Sequence, residues 1–168
     1  MENYLQDIIA ENLAILFCGI NPGLKSAMQG HHFSNRSNRF WKVLHQAGFT
    51  PHEINPVLDS TILDYGYGLT TAVERATVRA DELSKAEFDQ SIEVFKRKIE
   101  RNKPACLAFL GKPAYQAFTK KKDVQWGLQE APFCNATVWI LPNPSGLNRG
   151  FTLQMLITHY QALRNHVR

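Results

Sequence analysis

The chain has 168 residues, 44% of them hydrophobic, enough for one well-buried core and too few for two ordinary domains, so a single domain over 1–168 is expected. No run approaches the roughly 18 consecutive apolar residues that span a bilayer, and the start "MENYLQDIIAEN" lacks the basic flank and apolar stretch of an export signal, which predicts a cytoplasmic protein with no membrane partner. A net charge of +4 excludes little by itself, whereas three cysteines without a CxxC exclude a four-cysteine metal or cluster site within one chain.

Taken in chain order, "LAILFCGI" predicts a buried strand over about 13–20 that is stopped by "NPG". A long loop is expected next, then a helix from about Asn38 to Ala47 with Phe40, Val43 and Leu44 on one face and Gly48 at its end. A short helical turn near 57–63 and a strand at 67–73 follow. "SKAE" at 84–87 has the form of a capping box, and Phe88, Ile92, Phe95 and Ile99 then recur at helical spacing. "ACLAFLG" at 105–111 reads as a continuous apolar strand, "KPAYQAF" as a helix with proline in its first turn, and "TVWIL" as the last strand. Thr152 can cap a final helix carrying Leu153, Leu156, Ile157, Tyr160 and Leu163. Apolar strands alternating with helices predict an α/β sandwich around a parallel sheet.

Two strands empty into similar loops, "GINPG" at 19–23 and "NPSGLNR" at 143–149. Ligands of such sheets bind at the carboxyl ends of the strands, so the two loops are expected to share one site. Charge points the same way. No Asp or Glu occurs from Asn21 to His52, where Lys25, Arg36, Arg39 and Lys42 lie, nor from Ala131 onwards, where Arg149, Arg164 and Arg168 lie. That distribution is a polyanion footprint, although a charge run can also be a plain solvated face. The "KKK" at 120–122 reads as a solvated turn.

The first loop offers Asn21, main-chain amides near Gly23, Ser26, two histidines and Phe33, but no carboxylate and no nucleophile with a base beside it. A Ser-His-Asp arrangement lacks its acid, adjacent His31 and His32 would diverge in an extended chain and so disfavour a metal, and neither loop ends in the Lys-Ser/Thr of a P-loop. A pocket that binds by amides and stacking remains, which suits a nucleobase.

The blocks "FCGINPG", "FWKVLHQAGF", "VERAT", "LGKPAY" and "LPNPSGLNR" resemble, in the same order and through nearly the whole chain, the mismatch-specific (G:U/G:T) uracil-DNA glycosylases of the thymine-DNA glycosylase family. The resemblance implies a three-layer α/β/α sandwich with a central, mainly parallel sheet of four to five strands. It implies hydrolysis of the N-glycosidic bond of uracil, or of related damaged pyrimidines such as ethenocytosine and, weakly, thymine, mispaired with guanine in double-stranded DNA. No metal and no cofactor are implied, and the partners would be mismatched duplex DNA and the repair enzymes that accept an abasic site, with the protein acting as a monomer.

By the same resemblance Asn21 positions the hydrolytic water, Phe33 stacks on the flipped base, main-chain amides near Ile20 hold the base edge, and Ser26 controls access to the C5 edge. Asn143 and Ser145 fall where the family lines the pocket and grips phosphate, while Gly146, Leu147, Asn148 and Arg149 fall on its insertion wedge. Read as residues alone, Phe33 could equally be a core aromatic, Leu147 a staple on the following helix and Arg149 a solvated side chain. The wedge has its own physical sense, because a base must leave the duplex before chemistry and an apolar side chain can fill the gap. Asn21 stands where more active relatives of similar fold carry aspartate, which predicts slow chemistry, and Thr71 stands where some bacterial members carry lysine. With Lys25 the only lysine in either motif, water is the expected nucleophile. Two rivals remain open, a non-catalytic DNA-damage binding module and a phosphate-ester or nucleotide-binding enzyme of the doubly wound type.

Overall fold

A computed structural model describes residues 5–167. Its sheet has five strands, β1 (Ile15–Gly19), β2 (Tyr67–Thr71), β3 (Cys106–Leu110), β4 (Gly127–Leu128) and β5 (Thr137–Leu141), in the order β2-β1-β3-β5-β4. The first four in that order run parallel, and β4 joins antiparallel as a two-residue edge on β5. At the opposite edge Ile8 and Leu69 exchange main-chain hydrogen bonds, so the amino-terminal segment covers β2.

The helices are α1 (Leu24–Gln29), α2 (Phe40–Gln46), α3 (Lys85–Asn102), α4 (Pro113–Thr119) and α5 (Leu153–Val167), with 3-10 segments at Pro56–Tyr65 and Ala80–Glu82. Alternate residues of each strand face opposite sides, which divides the core in two. Ile15, Phe17, Ala108 and Leu141 pack with Phe40, Val43, Leu44, Leu156 and Tyr160 of α2 and α5. Leu16, Cys18, Phe109 and Ile140 pack with Phe88, Phe95, Ile99 and Tyr115 of α3 and α4. The expected α/β/α sandwich is thus present, and both faces of the sheet are covered, which is why the central strands β1 and β3 are apolar at every position.

Local signals account for most boundaries. Ser84 Oγ accepts from Glu87 N while the Glu87 carboxylate accepts from Ser84 N, the reciprocal cap that starts α3. Thr152 Oγ1 accepts from Met155 N and caps α5. Two elements depart from the sequence reading. The stretch expected as a long loop contains α1, six residues between Gly23 and a left-handed Gly30, with no side-chain cap. β4 is also new, and at two residues it is too short to leave a periodic pattern. Cys18 and Cys106 are buried in β1 and β3, where burial raises both thiols, the latter to about 12.

Candidate active site

The first loop leaves the carboxyl end of β1 still laced to the chain beyond β2. Ala72 N donates to Gly19 O, Val73 N to Ile20 O and Thr77 N to Pro22 O, and Leu24 N returns to Thr77 O. Within this frame the Asn21 side chain donates from Nδ2 to Arg75 O and to Thr77 Oγ1, each at 2.8 Å. Gly23 has an ordinary φ of −71°, and a Cβ there would meet nothing within 4 Å. Neither backbone conformation nor packing requires glycine at 23, so its effect is to leave the lip of the loop open.

A second segment, 31–34, forms the facing wall. The buried Asp59 carboxylate accepts from His32 N at 2.8 Å and lies 3.3 Å from His31 Nδ1. His32 donates from its ring to Gln6 O, and its own carbonyl accepts from Trp41 Nε1 at 2.9 Å. These anchors hold the next residue, Phe33, at φ +53°, in a region that bulky side chains rarely adopt. Its ring stacks on Phe40, with centroids 4.2 Å apart and planes 23° from parallel. Phe33 is half-buried and lines the cleft, so it is backed by the core without being sunk in it. Ser26 is buried, its Oγ accepting from Ser34 N at 3.1 Å, which ties α1 to the same wall.

The second loop follows β5. Asn143 Oδ1 accepts from Ser145 N, forming a tight Asx turn, and its Nδ2 has no partner among the described residues. Ser145 Oγ accepts from Leu147 N, and Asn148 Nδ2 donates back to Asn143 O. Gly146 lies against Ser37, where a Cβ would stand 2.7 Å from both a side-chain and a main-chain atom, so close packing requires glycine there. Leu147 is 61% exposed at the tip, and Arg149 beside it is exposed too. The helix-staple alternative for Leu147 fails, because Thr152 caps α5 and the residue before that cap is Phe151, packed on Trp126 and His159.

One basic residue has a different task from that expected. In the sequence Arg39 counts toward a polyanion footprint, but in the fold its guanidinium donates to four carbonyls of the second loop: Pro144 O at 3.3 Å, Ser145 O at 2.9 Å, Asn148 O at 3.1 Å and Phe151 O at 2.6 Å. It is an internal clamp on the second loop. Arg164 is likewise engaged, donating to Gly48 O. Lys25, Arg36, Lys42 and Arg149 are exposed and make no side-chain hydrogen bond or ion pair with the described residues, so their charge is free to meet a ligand; Arg168 lies outside the described residues.

Together these segments enclose a cleft of about 230 Å³ that Ile20, Asn21, Ser26, Phe33, Asn143, Ser145 and Leu147 all line. Its volume is below the roughly 300–1,000 Å³ of drug-sized ligand pockets and suits a single ring. Gly146, Asn148 and Arg149 lie on the loop that bears Leu147 but do not line the cleft. Among the described residues no Asp, Glu, Lys or Arg lines it and His32 is the one histidine there, held below its ordinary value by burial. Among the described residues no cluster of three or more His, Cys, Asp or Glu could hold a metal. Such a cleft can stack a planar ring and exchange neutral hydrogen bonds with it, and it can orient a water through an amide; the described residues offer it no carboxylate to act as a base. Thr77, Asn35 and Ser37 carry no mark of a role in the sequence, and the clamp role of Arg39 is not legible there either. The "VERAT" block marked the right region, but nothing in it says that Thr77 meets Asn21.

Comparison with known proteins agrees with this fold. The solution NMR structure of a Methanosarcina acetivorans protein, provisionally designated a uracil DNA glycosylase, superposes with a TM-score of 0.68 over 98% of this chain and 97% of that one, at 20% identity, a likeness of fold. The sequence profile of the uracil DNA glycosylase superfamily matches residues 6–164, nearly the full length of the chain. The chain belongs to the uracil DNA glycosylase superfamily.

Proposed function

We propose that this protein is a monofunctional DNA glycosylase that hydrolyses the N-glycosidic bond of uracil, and of related damaged pyrimidines, mispaired with guanine in duplex DNA. Superfamily membership supports uracil removal. The observation that carries the finer reading is the convergence of Asn21, Phe33 and Leu147 on one cleft that no charged side chain of the described residues lines.

In this reading the extruded base stacks on Phe33, a platform fixed in advance by its anchored backbone, and base–aromatic stacking contributes ~1–3 kcal/mol per base. The free Nδ2 of Asn143 donates to a base carbonyl, main chain near Ile20 meets the base edge, and Ser26 crowds the position of a C5 methyl, favouring uracil over thymine. Leu147 fills the vacated stack while the loop around it, including Gly146, Asn148 and Arg149, meets the widowed guanine and its phosphates.

Asn21 holds a water against the sugar. The water oxygen bonds to C1′ as the C1′–N1 bond breaks, the bonding pair leaves on the base, and the water's proton passes to solvent, since a neutral amide is no base. Lys25 lies outside the cleft, which supports water over an amine as nucleophile. With no carboxylate of the described residues near the developing positive charge on the sugar, the chemical step is slow and depends on a good leaving group. The product is an abasic site opposite guanine, passed to downstream repair enzymes; the protein acts as a cytoplasmic monomer without a cofactor. Alkali treatment of a G·U duplex after incubation tests the reading: strand scission at the uracil is expected. A gel shift without scission would replace it with a non-catalytic damage-binding module, and neither signal would remove it.

A further inference from the structure

An amide has two unlike ends, and the surroundings of Asn21 decide which end the cleft receives. Its Nδ2 lies 2.8 Å from Arg75 O and 2.8 Å from Thr77 Oγ1. A carbonyl oxygen can only accept. The Thr77 hydroxyl has one proton, and it goes to Arg79 O at 2.7 Å. That acceptor leaves the hydroxyl no proton for Asn21, so Thr77 must receive one from it. Both amide protons are therefore committed to a frame of two acceptors. Reversing the amide would set its oxygen against a carbonyl and a lone pair. Among the described residues no buried side-chain nitrogen or oxygen lacks a partner and no group bonds to Asn21 Oδ1, so that oxygen is open to the cleft.

We propose that Thr77 is a positioning residue that fixes the polarity of the Asn21 amide, so that only an acceptor faces the substrate, and that this frame selects an amide over a carboxylate at position 21. The inference rests on the glycosylase reading for its catalytic consequence, but the frame itself is a structural matter. Asn21 then takes one O–H of the water and turns a lone pair of that water toward the sugar. A donor end in the same place would bind the water by its lone pair and point its protons the wrong way.

The frame is itself braced. Thr77 is buried and bonded on both sides of its backbone to the first loop, through Pro22 O and Leu24 N. Arg75, which supplies the other acceptor, pairs through its guanidinium with Glu87 and donates to Glu82 O. Glu87 is also the carboxylate of the α3 capping box. The amino end of α3 thus holds the segment that orients Asn21, which gives the "VERAT" and "SKAE" blocks one shared purpose. An aspartate at 21 would place an oxygen against Arg75 O, and it could gain a proton from Thr77 only if that hydroxyl abandoned Arg79 O.

The test combines kinetics with a readout that needs no activity. On a G·U duplex, T77V should lower the single-turnover rate about tenfold or more with duplex affinity changed less than about threefold, and T77S should restore most of the loss. On an N21A background T77V should add no further loss, because it acts through the missing amide. In NMR spectra the Asn21 side-chain NH2 protons should exchange slowly in the wild type and in T77S, and faster in T77V. An unchanged T77V rate, additive losses in the double variant, or fast exchange in the wild type would each overturn the proposal. If the wild type cleaves nothing, the glycosylase reading fails while the exchange data still decide the frame.

Discussion

Replacing Leu147 with alanine probes the wedge with little disturbance elsewhere. The side chain is 61% exposed and belongs to neither core cluster, so its loss should leave folding nearly intact. Leucine to alanine removes about three carbon groups, worth roughly 0.8 kcal/mol each when buried, or about 2.4 kcal/mol for complete burial. Insertion between base pairs can newly bury only the exposed share, about three-fifths, which gives about 1.5 kcal/mol, or roughly tenfold in rate. Single-turnover cleavage should therefore fall about tenfold on a G·U duplex and less than about twofold on uracil in a single strand, where no stack needs filling. The melting temperature should move by no more than a degree or two. Equal losses on both substrates, or none on the duplex, would refute the wedge argument and leave Leu147 a surface residue.

R39K keeps the charge of position 39 but cannot reproduce a fork that reaches four carbonyls; duplex cleavage should drop by about an order of magnitude while the salt dependence of DNA binding stays unchanged, measured by single-turnover rates and by titrations at several ionic strengths. G23A should fold with an unchanged melting temperature and yet lose at least severalfold in activity, since its methyl would enter open space at the lip of the cleft; wild-type activity would show that nothing approaches there. Burial lowers the folded-state pKa of His32, and of His159, below the ordinary 6.5. Above that value both folded and unfolded states are neutral and stability is complete; as pH falls through it the unfolded chain takes protons the folded chain does not, and stability declines. Thermal melts from pH 8 to 5 should show that decline, and H32Q should flatten it.

What the sequence made legible follows from how far apart the deciding groups lie. The helix after Ser84 and the strands at 15–19, 106–110 and 137–141 are written in local patterns, a reciprocal cap and uninterrupted apolar runs, and both Asn-Pro loops fall at the same end of the sheet. α1 escaped because six residues with no capping side chain carry no local mark, and their end is set by the left-handed Gly30. β4 exists only because β5 offers it an edge. Arg39 resembles any basic surface residue until the loop more than 100 positions later folds over it. Thr77 was visible in a motif, but its meaning depends on a proton given to Arg79 and another taken from Asn21, a relation of direction that spacing does not encode.

In the proposed reaction a neutral amide, with no charged side chain of the described residues lining the cleft beside it, organises hydrolysis. The most direct test of that role is the pair of single-turnover rates for wild type and N21A on a uracil opposite guanine, with duplex affinity measured alongside. The account predicts a loss on the order of 10²-fold or more in the chemical step, with affinity held within a few-fold. A near-wild-type rate in N21A would contradict it and remove Asn21 from the mechanism.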